Sequence, residues 1–237
     1  MRETSEIYNQ ILASGNYWSE TRLIIGDGTD PEKGYDENTL FSMTVFSDVF
    51  SEDTPVVGCC IASEIDITMY KPDVDIPPNA RLAPFVRITD GTRQSEWLQK
   101  GVFHIDTRQK VDDGTRLEKI RFRGYDDMLK TEQDYAESAL SWPAKDYDVV
   151  REIAAAIGVE VDERTEAQLM GYWVKYPAGY SYREVLGYIA AAYGGSFVMS
   201  DLGKLRLVTL NGIPKETRYL IDESGSIITF GGDRILV

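Results

Sequence analysis

Alternating hydrophobic and polar positions dominate the first 132 residues and predict β-strands there. Within residues 61–70 the odd positions are mostly apolar, whereas the even positions include Glu64, Asp66 and Thr68. This period of two is typical of a strand that has one face in a core. Further strands are predicted where short apolar runs end at turn residues, over residues 20–27, 40–46 and 81–89.

A hairpin is predicted around Asp113-Gly114. Both central residues of a two-residue type I′ turn need positive φ, and Asp-Gly accommodates this conformation. The turn fixes a register that places apolar residues opposite one another on one face of the ribbon. The predicted pairs are Ile105 with Phe122, Thr107 with Ile120 and, on the other face, His104 with Arg123.

From about residue 133 the apolar positions follow the period of a helix instead. One helix is predicted over residues 147–157, with Asp146 as its N-cap. A second helix begins at a capping box formed by Ser181 and Glu184. The Gly-Gly pair at 194–195 follows this helix, so it predicts a helix end and not a phosphate-binding loop.

The whole chain is predicted to be α+β and mainly β. Two strands with a turn between them are predicted over residues 197–200 and 204–210, and two more over 217–222 and 226–230. We expect three parts: a β-rich domain at 1–132, a small α+β domain of two helices and a β-hairpin at 133–212, and the start of a second β domain at 213–237. Because the chain ends on an apolar run, we expect it to be a fragment of a longer protein.

Composition removes several classes of protein. The 237 residues include 43% hydrophobic ones, but no apolar run reaches membrane-spanning length and the N-terminus lacks the features of a secretory leader. The two cysteines, Cys59 and Cys60, are adjacent, which excludes a disulfide framework and a cysteine zinc site and predicts apolar packing. A single histidine, His104, excludes any site that needs two imidazoles.

Charge is unevenly distributed along the chain. The sequence has 25 Lys and Arg against 39 Asp and Glu, and its formal net charge of −14 opposes binding to duplex nucleic acid. Residues 27–75 contain 12 acidic residues and 2 lysines, whereas residues 76–132 contain 9 acidic and 11 basic residues. Two interpretations stay open for the acidic segment: solvated loops, or an acidic surface that faces a polyanion or a basic partner.

The sequence holds no recognised catalytic motif, and we expect no catalytic residue, no cofactor and no metal site. Nucleophile-elbow, Walker A and H-E-x-x-H motifs are absent. His104 lies in a predicted strand without a recognisable nucleophile, which favours a structural role. Glu64 and Asp66 share a strand face, as a glycosidase pair does, although a solvated face explains them as well. Residues 27–38 depart from the EF-hand pattern, so a weak calcium loop is an alternative to a plain loop.

Six segments resemble prophage tail proteins of Gram-positive bacteria, in the N-terminal region of a tail-associated lysin or baseplate hub. These segments are residues 58–72, 76–91, 97–108, 124–130, 142–158 and 182–207, the last of which resembles the insert domain of tail hub proteins. The resemblance extends over about residues 20–237 and consists of patterns typical of a fold, without a catalytic motif.

The resemblance implies a hub at the tail tip, similar to the baseplate hub of contractile phages and to type VI spike proteins. Such a protein has a tail-tube-like antiparallel β-barrel domain with the small α+β domain inserted into it. It assembles as a homotrimer with other tail proteins, namely the distal tail protein and the tape measure protein. DNA passes through the ring without specific binding. The implied location is the virion, after assembly in the host cytoplasm, with no membrane insertion by this segment.

We therefore expect a structural component of a phage tail that connects the tail tube to the distal tip, and not an enzyme. An acidic lining contributed by residues 27–75 would repel the phosphates of passing DNA. One alternative is a carbohydrate- or receptor-binding module that uses Trp97, Trp142 or Trp173. Another is a fragment of a peptidoglycan hydrolase that uses Glu64 and Asp66.

Overall fold

A computed structural model describes residues 4–49, 56–112, 114 and 117–210, together with the backbone at 229–230 and 233–234. The described helices are α1 (Glu6–Ser14), α2 (Asp146–Ile157), α3 (Glu163–Glu166) and α4 (Tyr182–Ala192), with 3₁₀ helices at Pro31–Lys33 and Asp127–Glu132. None of them is long and apolar enough to cross a membrane. The described strands are β1 (Trp18–Ile25), β2 (Leu40–Phe46), β3 (Glu64–Tyr70), β4 (Arg81–Thr89), β5 (Leu98–Gln99), β6 (Phe103–Val111), β7 (Lys119–Tyr125), β8 (Ala144–Lys145), β9 (Trp173–Val174), β10 (Gly195–Met199), β11 (Leu205–Thr209), β12 (Thr229–Phe230) and β13 (Asp233–Arg234). The predicted class, α+β and mainly β, is confirmed.

Seven strands form one antiparallel sheet in the order β1-β4-β6-β7-β3-β2, with β5 beside β4. The alternation predicted for β3 orients it: Ile65 and Ile67 are fully buried, while Glu64 and Asp66 lie on the opposite face. The sheet curls around its apolar face, because Leu23 of β1 belongs to the same core as Ile65. Within the part of the chain described, no ladder joins β1 to β2, and closure into a barrel stays a prediction.

The hairpin between β6 and β7 differs from the predicted one. Ile105 pairs with Gly124, and the extra residue Asp106 forms a bulge that shifts the register beyond it. The loop is also longer than two residues, since β6 ends at Val111 and β7 begins at Lys119. Asp113 itself lies outside the described residues. The predicted pairs Ile105–Phe122, Thr107–Ile120 and His104–Arg123 are therefore wrong.

The N-terminal segment forms a helix, whereas the sequence pattern of residues 1–132 predicts only strands. The Ser5 hydroxyl caps α1 by accepting from the N–H of Tyr8 at 3.0 Å, and the helix ends at Gly15, whose φ is 68°. Ile11 is the buried residue of this helix. One buried position produces no helical repeat of apolar residues, so the sequence pattern of this segment does not differ from that of a loop.

In the α+β part, α2 and α4 lie where helices were predicted and share one core with the β10–β11 hairpin. This part also contains the short helix α3 and the β8–β9 pair, which were not predicted. At the start of α4, Ser181 accepts from the N–H of Glu184 at 3.2 Å, and the Glu184 carboxylate accepts from the N–H of Ser181 at 2.8 Å. At the start of α2, the N-cap is Lys145 rather than Asp146. Asp146 is buried within the first turn, where it accepts a hydrogen bond from the Tyr193 hydroxyl. The N-cap role predicted for Asp146 is wrong because its carboxylate bonds this phenol instead.

Residues that precede β3 extend the β10–β11 hairpin. The N–H of Phe197 donates to the Cys59 carbonyl at 3.0 Å, and the N–H of Gly58 donates to the Gly195 carbonyl at 2.7 Å. Cys60 lies in the α+β core, where burial raises the pKa of its thiol to about 12. This position fits the apolar packing predicted for it. The α+β core thus includes residues far before position 133.

Of the predicted third part, residues 213–237, the structure describes four backbone positions. Thr229 pairs with Arg234, and Phe230 pairs with Asp233, in an antiparallel ladder. This ladder agrees with a strand that ends at Phe230. The strand predicted over 217–222 lies outside the described residues, and the division into three parts stays a prediction.

Asp126 joins the sheet to the α+β part. It follows β7, and its carboxylate oxygens accept hydrogen bonds from the N–H groups of Ser63 and Met128, both at 3.0 Å. The residue is 4% exposed, and desolvation raises the pKa of its carboxyl to about 6. The native state therefore holds this proton more tightly than the unfolded state does. As a result, the stability that Asp126 contributes at low pH is lost as the pH rises through about 6.

We expect Asp126→Asn to remove this pH dependence. Between about pH 5 and about pH 8, the free energy of unfolding of the wild type should fall relative to the variant by about 1.4 kcal/mol, because only the native carboxyl titrates in that range. Urea denaturation at successive pH values measures the difference. Asp162→Asn is the control, since hydrogen bonds from Arg164 lower the pKa of Asp162 and keep it ionised throughout. Equal slopes for the wild type and Asp126→Asn would contradict this account.

Helix α4 and residue 58 are in backbone contact. A Cβ atom at Gly187 would lie 2.7 Å from the carbonyl oxygen of Gly58, and a Cβ atom at Gly58 would lie 2.9 Å from the carbonyl oxygen of Gly187. Because both obstructing atoms belong to the backbone, neither moves without displacing a whole element.

Gly187→Ala should therefore lower the free energy of unfolding by about 1–3 kcal/mol, although alanine normally favours a helix over glycine. Ala156→Gly, at an exposed position of α2, supplies the matched control and should cost about 1 kcal/mol through helix propensity alone. Chemical denaturation of both variants measures these changes. A Gly187→Ala variant more stable than the wild type would show that the two backbones are not in contact.

Candidate interaction surfaces

Four adjacent strands direct a polar face outward, on the side opposite the core. Partners in an antiparallel ladder lie on the same face, so the ladders define its members. We call this surface the polar sheet face, and it consists of Ser42, Thr44, Phe46, Glu64, Asp66, Thr68, Tyr70, His104, Thr107, Gln109, Val111, Lys119, Arg121, Arg123 and Tyr125.

Two arginines of β7 pair with the two acidic residues of β3 at the centre of this face. Arg121 Nε donates to Asp66 Oδ1 at 2.8 Å. Arg123 Nε lies 3.4 Å from both Glu64 Oε1 and Asp66 Oδ2. Hydrogen bonding from Arg121 lowers the pKa of Asp66. A glycosidase acid needs a raised pKa, so this arrangement does not fit the hydrolase alternative for Glu64 and Asp66.

Other acidic residues of segment 27–75 also pair with bases from outside the segment. Arg22 lies 3.2 Å from Asp36, and Arg87 lies 2.9 Å from Glu32. These pairs weaken the field that the local excess of acid would otherwise produce. A continuous acidic surface therefore does not follow from the sequence count alone.

Residues 27–38, considered as a calcium loop, form a turn that is held by its own acids. Asp30 accepts from the N–H of Glu32 at 3.2 Å, and Asp36 accepts from the N–H of Asn38 at 3.1 Å. Across the residues that the structure describes, no group of three or more His, Cys, Asp or Glu is arranged to hold a metal ion. Nothing in this loop supports the calcium alternative.

His104 lies beside an aspartate rather than opposite Arg123. Its Nε2 is 3.2 Å from Asp127 Oδ1, which is also 2.6 Å from Lys130 Nζ. Partial burial acts to raise the pKa of Asp127, but His104 and Lys130 lower it on balance. The cluster links β6 to the 3₁₀ helix that follows β7, which fits a structural role for His104.

Among the residues that the structure describes, strand β2 lies at one edge of the sheet and pairs only with β3. On it, Phe41 and Phe46 are 63% and 54% exposed. The other end of the sheet is partly covered, since the N–H and carbonyl of Tyr35 both bond to Leu23 of β1. An uncovered edge strand offers unpaired N–H and carbonyl groups to another chain. The β2 edge therefore combines backbone groups that no described strand pairs with exposed aromatic side chains.

The three tryptophans considered for ligand binding lie in different surroundings. Trp97 packs against two guanidinium groups, with Arg22 and Arg87 at 5.8 and 4.3 Å from its ring centroid. Trp142 is partly buried against the α+β core. Trp173, by contrast, is 65% exposed and lines a groove of about 360 Å³. Of the three, Trp173 is the one placed in a concave surface.

This aromatic groove lies between β9 and α4. It is lined by Asp146, Tyr172, Trp173, Val174, Lys175, Tyr176, Pro177, Tyr180, Val185, Tyr188, Ile189, Ala192 and Tyr193. Helix and strand patterns do not reveal it. The sequence feature that could have indicated this groove is a cluster of tyrosines, since six of the 14 tyrosines fall within residues 172–193.

Neither a protein-family model nor the sequence of a curated protein matches this chain. Solved structures match it in fold. The crystal structure of the 43 kDa tail protein of prophage MuSo2 from Shewanella oneidensis aligns over 81% of this chain and 53% of its own, with 15% sequence identity and a TM-score of 0.52. The tail protein from Neisseria meningitidis MC58 aligns over 89% of this chain and 53% of its own, with 15% identity and a TM-score of 0.50.

A chain of the Francisella PdpA-VgrG complex, in its half-lidded form, aligns over 81% of this chain and 31% of its own, with 7% identity. Its TM-score of 0.46 is too low to establish a fold relation. The chain thus spans about half the length of the two tail proteins. A similarity at 15% sequence identity establishes a shared fold but not a shared function, because proteins with unrelated functions can have the same fold. The expected resemblance to tail proteins is confirmed at this level: the chain shares the fold of a prophage tail protein and of a second tail protein.

Proposed function

We propose that this chain is a structural component of a phage tail, forming part of the hub ring that connects the tail tube to the distal tip. The observation that carries this proposal is the fold shared with two tail proteins over 81% and 89% of the chain. The relation to Gram-positive phages and the location in the virion tail belong to the same proposal.

Within this proposal the ring is a homotrimer in which the β2 edge contacts a neighbouring copy. Support comes from the backbone groups of β2 that no strand in the described part of the chain pairs, and from the exposed rings of Phe41 and Phe46. Aromatic side chains are enriched at the centres of protein interfaces, where their burial stabilises association. The distal tail protein and the tape measure protein are the further partners proposed.

We also propose that residues 27–75 lie at the rim or lining of the channel. The formal charge of −14 opposes adhesion of DNA phosphates. The paired charges of the polar sheet face have the same effect, because an arginine bonded to a carboxylate is less available to a phosphate.

We also propose that this chain has no catalytic activity. Asp126 is a carboxyl with a raised pKa, as a general acid requires, but it is 4% exposed and both its oxygens accept backbone hydrogen bonds. These bonds engage both oxygens, and Asp126 is also among the residues that line a cavity of about 340 Å³. The more accessible Asp66 has a lowered pKa, caused first by its hydrogen bond from Arg121.

Light scattering at high protein concentration should give three times the chain mass of 26.7 kDa. Phe46→Asp should dissociate the trimer, because a carboxylate at the subunit contact would lose its hydration on assembly. Val74→Asp, at an exposed apolar residue away from β2, is the matched control and should leave the trimer intact. A monomer at every concentration, or a trimer that Phe46→Asp leaves unchanged, would contradict the proposed contact.

Incubation with purified peptidoglycan tests the catalytic part of the proposal. We expect no release of soluble fragments at any pH between about 4 and about 8, the range in which carboxyl pairs of hydrolases operate. A lytic enzyme in the same assay confirms that the substrate is competent. Release that is lost in Glu64→Gln or Asp66→Asn would instead favour the hydrolase alternative.

A further inference from the structure

We propose that the aromatic groove between β9 and α4 is a binding site for a neutral saccharide. The proposal concerns the α+β part alone and does not depend on the assembly proposed above. Four features of the groove support it: the fixed positions of the aromatic rings, the polar groups, the charge and the size of the groove.

Trp173 is held in place on one side. The Lys145 ammonium lies 3.7 Å from the centroid of its ring and donates to the Gly171 carbonyl at 2.7 Å. Lys145 and Trp173 are also partners in the β8–β9 ladder. Because Lys145 covers one face, the opposite face of the indole accounts for much of its 65% exposure. A ring that is already fixed loses little conformational entropy when a ligand stacks on it.

The tyrosines of the groove orient one another. Tyr180 and Tyr188 meet edge to face with ring centroids 5.5 Å apart, at one end of the groove. Tyr172 and Tyr193 meet at 5.3 Å, at the other end of α4. Tyr188 is 62% exposed in spite of this contact. Paired aromatic rings of this kind leave flat apolar surfaces facing solvent at fixed angles.

Polar groups at the floor of the groove are already bonded. The Asp146 carboxylate accepts from the Tyr193 hydroxyl and from the N–H of Tyr147 at 2.8 Å. The Tyr193 hydroxyl in turn accepts from the N–H of Met170 at 2.7 Å. These bonds fix the floor and leave its carboxylate little capacity to recruit a ligand cation.

Polar groups higher in the groove are available. Within the part of the chain that the structure describes, the hydroxyls of Tyr180 and Tyr188 and the indole N–H of Trp173 have no hydrogen-bond partner. A purely apolar ligand would remove these groups from water without replacing their hydrogen bonds. A pyranose ring offers both an apolar C–H face for the aromatic rings and hydroxyls for these groups.

Charge and size favour a neutral ligand of small dimensions. The net charge of −14 opposes polyanions, while Lys175 in the groove wall and Lys145, which lies over the Trp173 ring, oppose a cationic ligand. From Val185 to Ala192, helix α4 rises about 10 Å along the groove. The volume of about 360 Å³ is within the usual range for small ligands. Such a groove is small for a standard protein interface, which buries about 800 Å² on each partner.

Isothermal titration calorimetry on the full chain tests the site. The probes are neutral trisaccharides of glucose, galactose, mannose and N-acetylglucosamine, with a uronic-acid trisaccharide and choline for comparison. We expect saturable binding of at least one neutral trisaccharide. Trp173→Ala should weaken it by about tenfold or more, and Trp173→Phe by less, because a stacking face remains. Trp18→Ala removes an exposed tryptophan of β1 that lies outside the groove and should leave binding unchanged.

Four results would overturn the proposal. They are no binding of any neutral trisaccharide, preferential binding of the uronic-acid trisaccharide or choline, binding unaffected by Trp173→Ala, and loss of self-association in Trp173→Ala. The last result would assign the groove to contact between copies of the chain. Since Trp173 is exposed, thermal unfolding of the variants should match the wild type, which separates loss of binding from loss of fold.

Discussion

The pairing of β3 with β7 is the constraint on which both faces of the sheet depend. In this register Ile67 lies opposite Phe122 in the core, and Asp66 lies opposite Arg123 outside it. A slip of one residue would move the apolar set to solvent and bury the carboxylates. Burial of fully enclosed side chains such as Ile65 therefore fixes the register. The ion pairs of the polar sheet face are a consequence of that burial rather than its cause, since exposed pairs contribute little to stability.

The two larger cores among the described residues are joined by buried backbone contacts and not by a free linker. Cys60 belongs to the α+β core although it precedes β3 by only a few residues. Asp126, directly after β7, accepts a hydrogen bond from the N–H of Ser63, so the start of β3 and the end of β7 meet at one carboxylate. The backbone contact of Gly58 with Gly187 brings α4 to the same place. Changes at this junction are expected to affect both cores together, because their shared groups are buried.

Local elements were predictable where one short stretch of sequence contains the whole cause. The limits of β2 and β4 follow from apolar runs closed by turn residues, and the capping box of α4 needs only Ser181 and Glu184. Elements that depend on distant partners were not predictable. The bulge at Asp106 changes the register beyond the reach of a turn preference. The carboxylate of Asp146 bonds Tyr193, 47 residues away, and the aromatic groove likewise forms only when β9 and α4 meet.

The negative charge of the chain would act differently on DNA at long and at short distances. Charges separated from DNA by more than a Debye length, about 8 Å in physiological salt, are largely screened. For the proposed channel, the total of −14 therefore matters less than the acids that would reach its surface unpaired. Carboxylates bonded to arginine, such as Asp66, contribute little to such a field. Among the described residues of segment 27–75, those without an ion pair are Asp27, Glu37, Asp48, Asp73 and Asp75. All five lie in loops and turns, so an acidic lining depends on the loops that join the strands rather than on the polar sheet face.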